Sequence, residues 1–589
     1  MQKLKECRFF NLKATKFLSL FFFPFFVCFI TEIGHMQSLN AFASFVTDSF
    51  GVIIFDVILI CTVFWFLTFL CKSSWICGLI TVVLFFAGSC VEYYKYYISG
   101  SHFLFTDLAM TKNVGDMAQF TRIHFNTVLF VCFLLIVAYI FLLYLCDVKI
   151  EQKFIIRSSV SVFIGVLTVL FISVPTLFSG MCTAFGIDAS YSFNAFSDKQ
   201  RFDSNNFISN FTVSLNQQIT SKVETPQNYS EELINSMLEN PKNLPVSGKN
   251  VKPNIIFIMS ESFGDFRNLN GMEVSADIYK NFDKIKKNAF VGKTVVPTFG
   301  GNTVRTEFEL MFGLPVKSLN NSAIPHSLLP NPMLFSDIEF DTFAQMYKSQ
   351  GYHTTYLHPF SSSFYDREDA YSKYGFDKLI FIDDLSVPVN FHRNYVDDDT
   401  LYRETEKLMT STKGPDYIYM TTMQNHQPYG DSSEDEVSIY LSGIKKTCDD
   451  LLSFLERLKS SKEPCVVFFV GDHLPFFSPE NNLYSDLGIT VKNCQVLYDQ
   501  DYIIWNNYNH QKTELPDYTV SAFYLPHIIY NYSGLVPNEF NSTILSVMKD
   551  YPVYSVPYSE ENSFLLDTLT YDRTLGNGYS DEEIVKPFI

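Results

Sequence analysis

Five apolar runs, roughly Phe17–Ile33, Phe50–Cys71, Trp75–Val91, Phe125–Cys146 and Val160–Met181, fill the first part of this chain. Each is long enough to cross a hydrocarbon core of about 30 Å as a helix. In lipid every backbone N–H and C=O must be satisfied internally, so such runs become spanning helices packed as a bundle. A basic stretch precedes the first run, which taken alone also suits a signal peptide. No small-residue cleavage site follows it and four more runs do, so it is read as a span.

Orientation follows the positive-inside rule. Lys3, Lys5, Arg8, Lys13 and Lys16 precede the first run, and Lys149, Lys153 and Arg157 follow the fourth. Both segments are expected in the cytoplasm. The loop Gly34–Ser49 has neither Lys nor Arg, which suits the outside. Everything after Met181 is then extracytoplasmic. Tyr93, Tyr94, Tyr96 and Tyr97 after the third run fit an outer aromatic belt or a packed loop equally well. Asp56 and Glu92, near span ends, are read as interfacial carboxylates rather than an ion pathway.

Composition agrees. Aromatic residues make up 16% of the chain, with 60 Phe, and charged residues only 18%. A net charge of −18 excludes nucleic acid as a partner, because phosphate binding needs clustered Lys and Arg. Nine of the 12 Cys lie at or before Cys182, with no metal-ligand spacing. Cys448 with Cys494 is the only pair worth checking for a disulfide.

Four regions are expected: a membrane domain at 1–182, a polar linker at 183–250 with a helix near Ser230–Leu238, a layered domain at 251–540, and an acidic extension of unassigned role at 541–589. From Lys252 the pattern becomes short continuous apolar runs ending in polar groups. These are PNIIFIMSES, Tyr352–Leu357 before His358, Asp416–Met423 before Asn425 and His426, and Cys465–Val470 before Gly471-Asp472-His473. Ile439–Leu458 has helical periodicity. Buried strands alternating with helices predict an α/β/α sandwich with a mostly parallel sheet.

The polar groups at those strand ends converge on one sheet edge. They are Glu261 within Ser260–Ser262, the segment Pro297–Pro315, His358 with Tyr365 and Arg367, and His426 with Asp472-His473. Each alone is a commonplace cap or hydrogen-bonded residue. Together Glu261, Asp472 and His473 supply two oxygens and a nitrogen, and a threonine oxygen completes a site for Mn²⁺, Zn²⁺ or Mg²⁺. A metal lowers the pKa of a bound hydroxyl and makes it a nucleophile. Thr303 follows Gly300-Gly301 and opens an expected helix, Thr303–Phe312, whose N-terminus favours an anion. On spacing alone Thr303 is equally well a phosphoryl acceptor or a plain N-cap.

The segments SES at Ser260–Ser262, GGNTxxTEFE at Gly300–Glu309, FYDRE at Phe364–Glu368, NHQPY at Asn425–Tyr429 and GDH at Gly471–His473 resemble the lipoteichoic acid synthase and phosphoglycerol transferase family of the sulfatase/alkaline-phosphatase superfamily. The resemblance covers the chain to about residue 540. It implies five N-terminal spans and an outside catalytic domain of that fold. It also implies Glu261, Thr303, Asp472 and His473 as ligands of Mn²⁺, and Thr303 as nucleophile of a covalent phosphoglycerol intermediate. His358, Tyr365, Arg367 and His426 would hold the donor head group. The family usually has Trp where this chain has Tyr365, which leaves the head-group contact open. Thr306, Glu307 and Glu309 match the pattern and are read as structural.

The implied reaction moves glycerol phosphate from phosphatidylglycerol to a cell-envelope glycan or polymer. A phosphoethanolamine transferase shares the layout, and a phosphodiesterase shares the first half-reaction. A sulfatase activity needs a Cys or Ser in a C/S-x-P-x-R motif, and residues 300–310 have none. A catalytically dead scaffold would have lost a ligand, and all four candidates are present.

Overall fold

A computed structural model describes residues 12–108, 115, 125–146, 148–190, 195–220, 222–238, 251–329, 341–430, 435–478, 481–508, 515–535, 537–556, 558 and 561–580. Lys3, Lys5 and Arg8 lie outside the described residues. The chain forms two compact units, one running to Lys222 apart from a short excursion at 113–120, the other from Val223 onward.

In the first unit five helices are long and apolar enough to cross a membrane: Lys13–Met36, Phe50–Cys71, Ser74–Ile98, Thr127–Cys146 and Phe154–Ser173. The first bends at Phe22, next to Pro24. Phe23, Val27, Ile60, Phe64, Val82 and Ile136 interlock in the bundle core. The helix Phe154–Ser173 leaves Ile155, Val162, Phe163 and Val169 exposed, as a lipid-facing surface requires.

Three expectations for this unit change. The fifth span, expected at Val160–Met181, starts earlier and stops at Ser173, because Pro175 opens a separate helix and holds Val174 extended (φ −88°, ψ 112°). The tyrosines after the third run lie on one continuous helix, which removes the packed-loop alternative and leaves the aromatic belt, with Tyr93 and Tyr97 stacked one turn apart. Asp56 and Glu92 are buried and partnered rather than wetted. The Ser209 hydroxyl donates to Asp56 at 2.6 Å, and Glu92 accepts from the Phe103 N–H at 2.6 Å beside His102. The polar stretch expected as a linker from 183 divides near Lys222. Its helix Ala195–Thr220, bent at Asn206, buries Asn205, Ser209 and Asn210 within the first unit, whereas Glu231–Met237 belongs to the second.

The second unit is built on strands β1 (Asn254–Ser260), β2 (Phe290–Val295), β3 (His353–Leu357), β4 (Lys378–Ile380), β5 (Phe391–His392), β6 (Tyr395–Val396), β7 (Asp416–Thr421), β8 (Cys465–Gly471), β9 (Asp499–Asn506) and β10 (Val520–Ser521). β5 and β6 form a separate ribbon, and the others form one sheet in the order β10-β2-β9-β8-β1-β7-β3-β4. Only β9 runs against its neighbours, β2 and β8, so the sheet is mostly parallel. β1, β7 and β8 are buried along their whole length, which is why their sequences are continuous apolar runs.

Helices cover the sheet. Glu436–Lys459 buries Tyr440, Ile444, Cys448, Leu451, Phe454, Leu455 and Leu458, a stripe of helical period. Cys448 and Cys494 are free thiols. The stretch after 540, to which the sequence assigned no role, is part of the core as far as it is described: Leu566 and Leu569 are fully buried in it. Asp572 there accepts a hydrogen bond from Tyr229 at 2.6 Å.

Register fixes what stands at the sheet edge. Ser260 at the end of β1 lies opposite Gly471 at the end of β8, Met259 opposite Thr421 of β7, and Leu357 of β3 opposite Met420. The residues that follow these ends, Glu261, Asp472, Thr422 and His358, therefore emerge along one row. This is where open α/β sheets place their ligand sites.

Candidate active site

Glu261, Asp472 and His473 bring one ligand atom each within 4.8 Å of one another, and all three are buried. The backbone around them is bent to this purpose. Ser262 takes φ +50°, and its N–H donates to Asp472 Oδ1 at 2.7 Å, as does the His473 N–H at 2.8 Å. The Ser262 hydroxyl donates to Glu261 Oε1 at 2.8 Å, and the Glu261 N–H donates to Thr422 at 3.1 Å. His473 Nδ1 faces the Leu474 carbonyl at 2.9 Å. That bond places the proton on Nδ1 and leaves Nε2 a lone pair. Nε2 lies 3.2 Å from Asp472 Oδ2, which is buried without a hydrogen-bond partner.

Two lone-pair atoms side by side in a dry site, beside a second carboxylate, call for a cation. Burial pushes the Glu261 carboxyl well above its ordinary range, and the neighbouring Asp472 pushes it further. Burial also raises Asp472, opposed by His473, by the N–H groups of Ser262 and His473, and by Thr303 beside it. The donor set of two carboxylates, an imidazole and a hydroxyl fits a divalent metal.

Thr303 is the first residue of the helix Thr303–Phe312, and Asn302 occupies the N-cap without a side-chain capping bond. Gly300, Gly301 and Asn302 take φ of +73°, +150° and +58° in succession. A Cβ on Gly300 would meet Phe476 at 3.0 Å. Glycine lets the chain turn this tightly, and the Gly300 N–H donates to the Leu474 carbonyl at 3.0 Å. Thr306 fastens the helix to the sheet edge, donating to the Asp472 carbonyl at 2.8 Å.

Glu307 gathers Thr421, Tyr356, Tyr371 and Arg367 around one carboxylate. Oε1 accepts from Thr421 at 2.7 Å and Tyr356 at 2.9 Å. Oε2 accepts from Tyr371 at 2.6 Å and from Arg367 Nη2 and Nε at 3.1 and 3.3 Å. Burial alone would raise this carboxyl, but Arg367, His358 and the hydroxyls hold it down at about 2. Arg367 is itself buried, donates to the Phe364 carbonyl, and stands over the Tyr365 ring at 5.2 Å. Its charge is thus already answered by Glu307. Tyr365 takes φ +60°, and its carbonyl accepts from His326 Nε2 at 2.8 Å.

His358 Nδ1 faces the Thr421 carbonyl at 3.0 Å, and its buried Nε2 has no partner. Desolvation and then Arg367 push this imidazole down to about 3. The Nδ1 of half-buried His426 faces the Gln427 carbonyl at 2.6 Å, and desolvation pushes it down to about 4 against that bond. Both rings are neutral at neutral pH.

All eight residues singled out in the sequence thus fall in one network at the ends of β1, β3, β7 and β8. Sequence reasoning missed three members. Glu307 was matched but given no function. His326 lies in a single 3-10 turn, Pro325–Leu328. Arg393 sits on the β5–β6 ribbon. Only the tandem acids of TEFE gave any signal, and it did not say which acid faces the site.

The sulfatase family model matches residues 253–548, just over half of the chain. A putative cyclic beta-1,2-glucan modification protein from Rhizobium meliloti is 24% identical over 60% of this chain and 56% of its own length. A lipoteichoic acid synthase from Staphylococcus saprophyticus is 25% identical over 40% of this chain and 38% of its own. The chain spans about half or less of these relatives. Among solved structures, the phosphoglycerol transferase GacH from Streptococcus pyogenes, in complex with sn-glycerol-1-phosphate, is 24% identical, covers 61% of this chain and 97% of its own, and gives a TM-score of 0.47. The family match falls on the α/β/α unit and its strand-end residues, and on that basis this chain belongs to the sulfatase family.

Proposed function

We propose that the protein is a metal-dependent phosphoglycerol transferase. It would take glycerol phosphate from phosphatidylglycerol onto Thr303 and pass it to a hydroxyl of an envelope glycan or polymer. One observation carries the reading. Thr303 adjoins Asp472 of the Glu261–Asp472–His473 cluster, at a glycine-led helix N-terminus that no side chain caps. A divalent ion held by Glu261, Thr303, Asp472 and His473, with Mn²⁺ the proposed metal and Zn²⁺ or Mg²⁺ compatible with the same donors, supplies Lewis-acid activation when bound.

In the first half-reaction the Thr303 oxygen attacks phosphorus. The bond from phosphorus to the diacylglycerol oxygen breaks, and that oxygen leaves with the proton that the Thr303 hydroxyl gives up. In the second, an acceptor hydroxyl attacks the phosphothreonine and restores Thr303. The N–H groups after Gly300-Gly301 receive the phosphoryl oxygens. His358, with an unpartnered Nε2, accepts a hydrogen bond from a head-group hydroxyl. His426, held neutral, serves as general base toward the incoming hydroxyl. Arg367 orients Tyr365 and the pocket wall. The five apolar helices would anchor the chain in the membrane that holds its lipid donor.

Intact-mass analysis of the full chain in detergent, with phosphatidylglycerol and Mn²⁺, tests this. A glycerophosphate adduct is expected on Thr303. An adduct from phosphatidylethanolamine alone would replace the donor, and no adduct from either would overturn transfer.

A further inference from the structure

The β5–β6 ribbon closes on a two-residue turn, Arg393-Asn394, between the paired residues His392 and Tyr395. Arg393 takes φ +53°, left-handed backbone that such turns usually give to glycine or asparagine. An arginine is held there only if its side chain repays the strain. That side chain makes three bonds to one neighbouring segment. Nη1 donates to the Pro428 carbonyl at 2.8 Å, and Nη2 donates to the carbonyls of Gln424 at 3.1 Å and His426 at 2.9 Å. The guanidinium lies 5.3 Å from the Tyr429 ring centre and 5.6 Å from that of Tyr395. Among the described residues it has no ion pair. Tyr395, next on the ribbon, donates to the Gln427 carbonyl and stands 3.3 Å from His426 Nδ1.

The carbonyls of three alternate residues, Gln424, His426 and Pro428, thus converge on one cation. A planar guanidinium suits this better than an ammonium, since its fork is rigid and its donors diverge. The bond from Gln427 O to the His426 ring then fixes that imidazole within the gathered loop.

We propose that Arg393 is a positioning residue, clamping the 424–428 segment so that His426 presents its imidazole to the transferring phosphoryl group and the incoming hydroxyl. The inference rests on the transferase reading of the site. It gives the ribbon a role in the chemical step that its distance from the strand ends in sequence conceals.

The test is Arg393→Gly in the full chain, in phosphatidylglycerol nanodiscs with Mn²⁺. Glycine relaxes at φ +53°, so the turn survives while the clamp is lost. We expect kcat to fall about 10- to 100-fold while KM for the donor stays within about twofold. Ethylguanidinium should restore part of the rate and ethylammonium should not. Deuterium uptake over residues 424–429 should rise. An unchanged kcat, a loss confined to KM, a rate that ethylammonium restores equally, or unchanged uptake would each overturn the clamp. If the wild type forms neither diacylglycerol nor a Thr303 adduct, the transferase reading fails, and the uptake comparison still decides whether Arg393 holds the segment.

Discussion

Glu307 Oε2 and Arg367 Nη2 lie 3.1 Å apart with both side chains shut off from water, and three hydroxyls complete the carboxylate's shell. Removing either ion strands the other in a dry interior. Arg367→Ala should therefore destabilise the second unit by about 3–5 kcal/mol, read from denaturant unfolding. The sign with pH follows from a folded carboxyl held at about 2. Its contribution is complete above the unfolded value of about 4.3 and is lost as pH falls from there towards 2. Glu307→Gln should flatten that acid limb, and an unchanged limb would count against the pair.

Glu309, two residues on, behaves in the opposite sense. It is buried, accepts from the Val316 N–H at 3.0 Å, and is pushed up to about 8 by desolvation, with Arg305 opposing. The folded protein therefore keeps a proton that the unfolded chain releases. Stability should fall as pH rises from about 4 to about 8, at up to about 1.4 kcal/mol per pH unit. In Glu309→Gln this component should vanish, which melting curves across that range would show as a shallower slope than wild type.

Thr303→Ala should give no covalent adduct in intact-mass spectra while keeping the melting temperature, because its hydroxyl meets Asp472 rather than filling the core. Adduct formation on the alanine variant would remove Thr303 from the proposed chemistry.

Asp472→Asn should lower metal affinity by at least about tenfold, since even partners beyond the direct ligands cost that much. Metal content after dialysis, by elemental analysis, is the measurement. Equal retention would show that the Glu261–Asp472–His473 cluster is not where the ion binds.

Orientation is open to a labelling scan. Cysteines placed at Ser101 and Ser204 should react with an impermeant reagent from outside, and one at Ser158 should not. The converse pattern would put the α/β/α unit in the cytoplasm.

Much of this architecture is legible in the residues. β1, β7 and β8 read as strands because full burial removes the polar alternation of an exposed sheet. The helix Thr303–Phe312 falls where its glycine lead and apolar spacing put it. The end of the fifth span was also readable, from Pro175, but mean apolarity hid it. Glu307 was not readable. Its partners Tyr356, Arg367, Tyr371 and Thr421 come from three separate stretches of chain, and only the folded register brings them to one carboxylate. His326 and Arg393 escaped for a related reason. Each acts on backbone carbonyls, and carbonyls leave no mark in a sequence.

Glu261 and Asp472 close the same cluster from the ends of adjacent strands, though more than half of the α/β/α unit lies between them in the chain. An ion bound there recognises only the finished sheet, because the unfolded chain cannot bring the two carboxylates together. Each tenfold rise in free metal above its dissociation constant then adds about 1.4 kcal/mol to the folded state. If the proposed ion binds there, such a protein would carry a gauge of its surroundings: scarce metal would cost it not only turnover but lifetime.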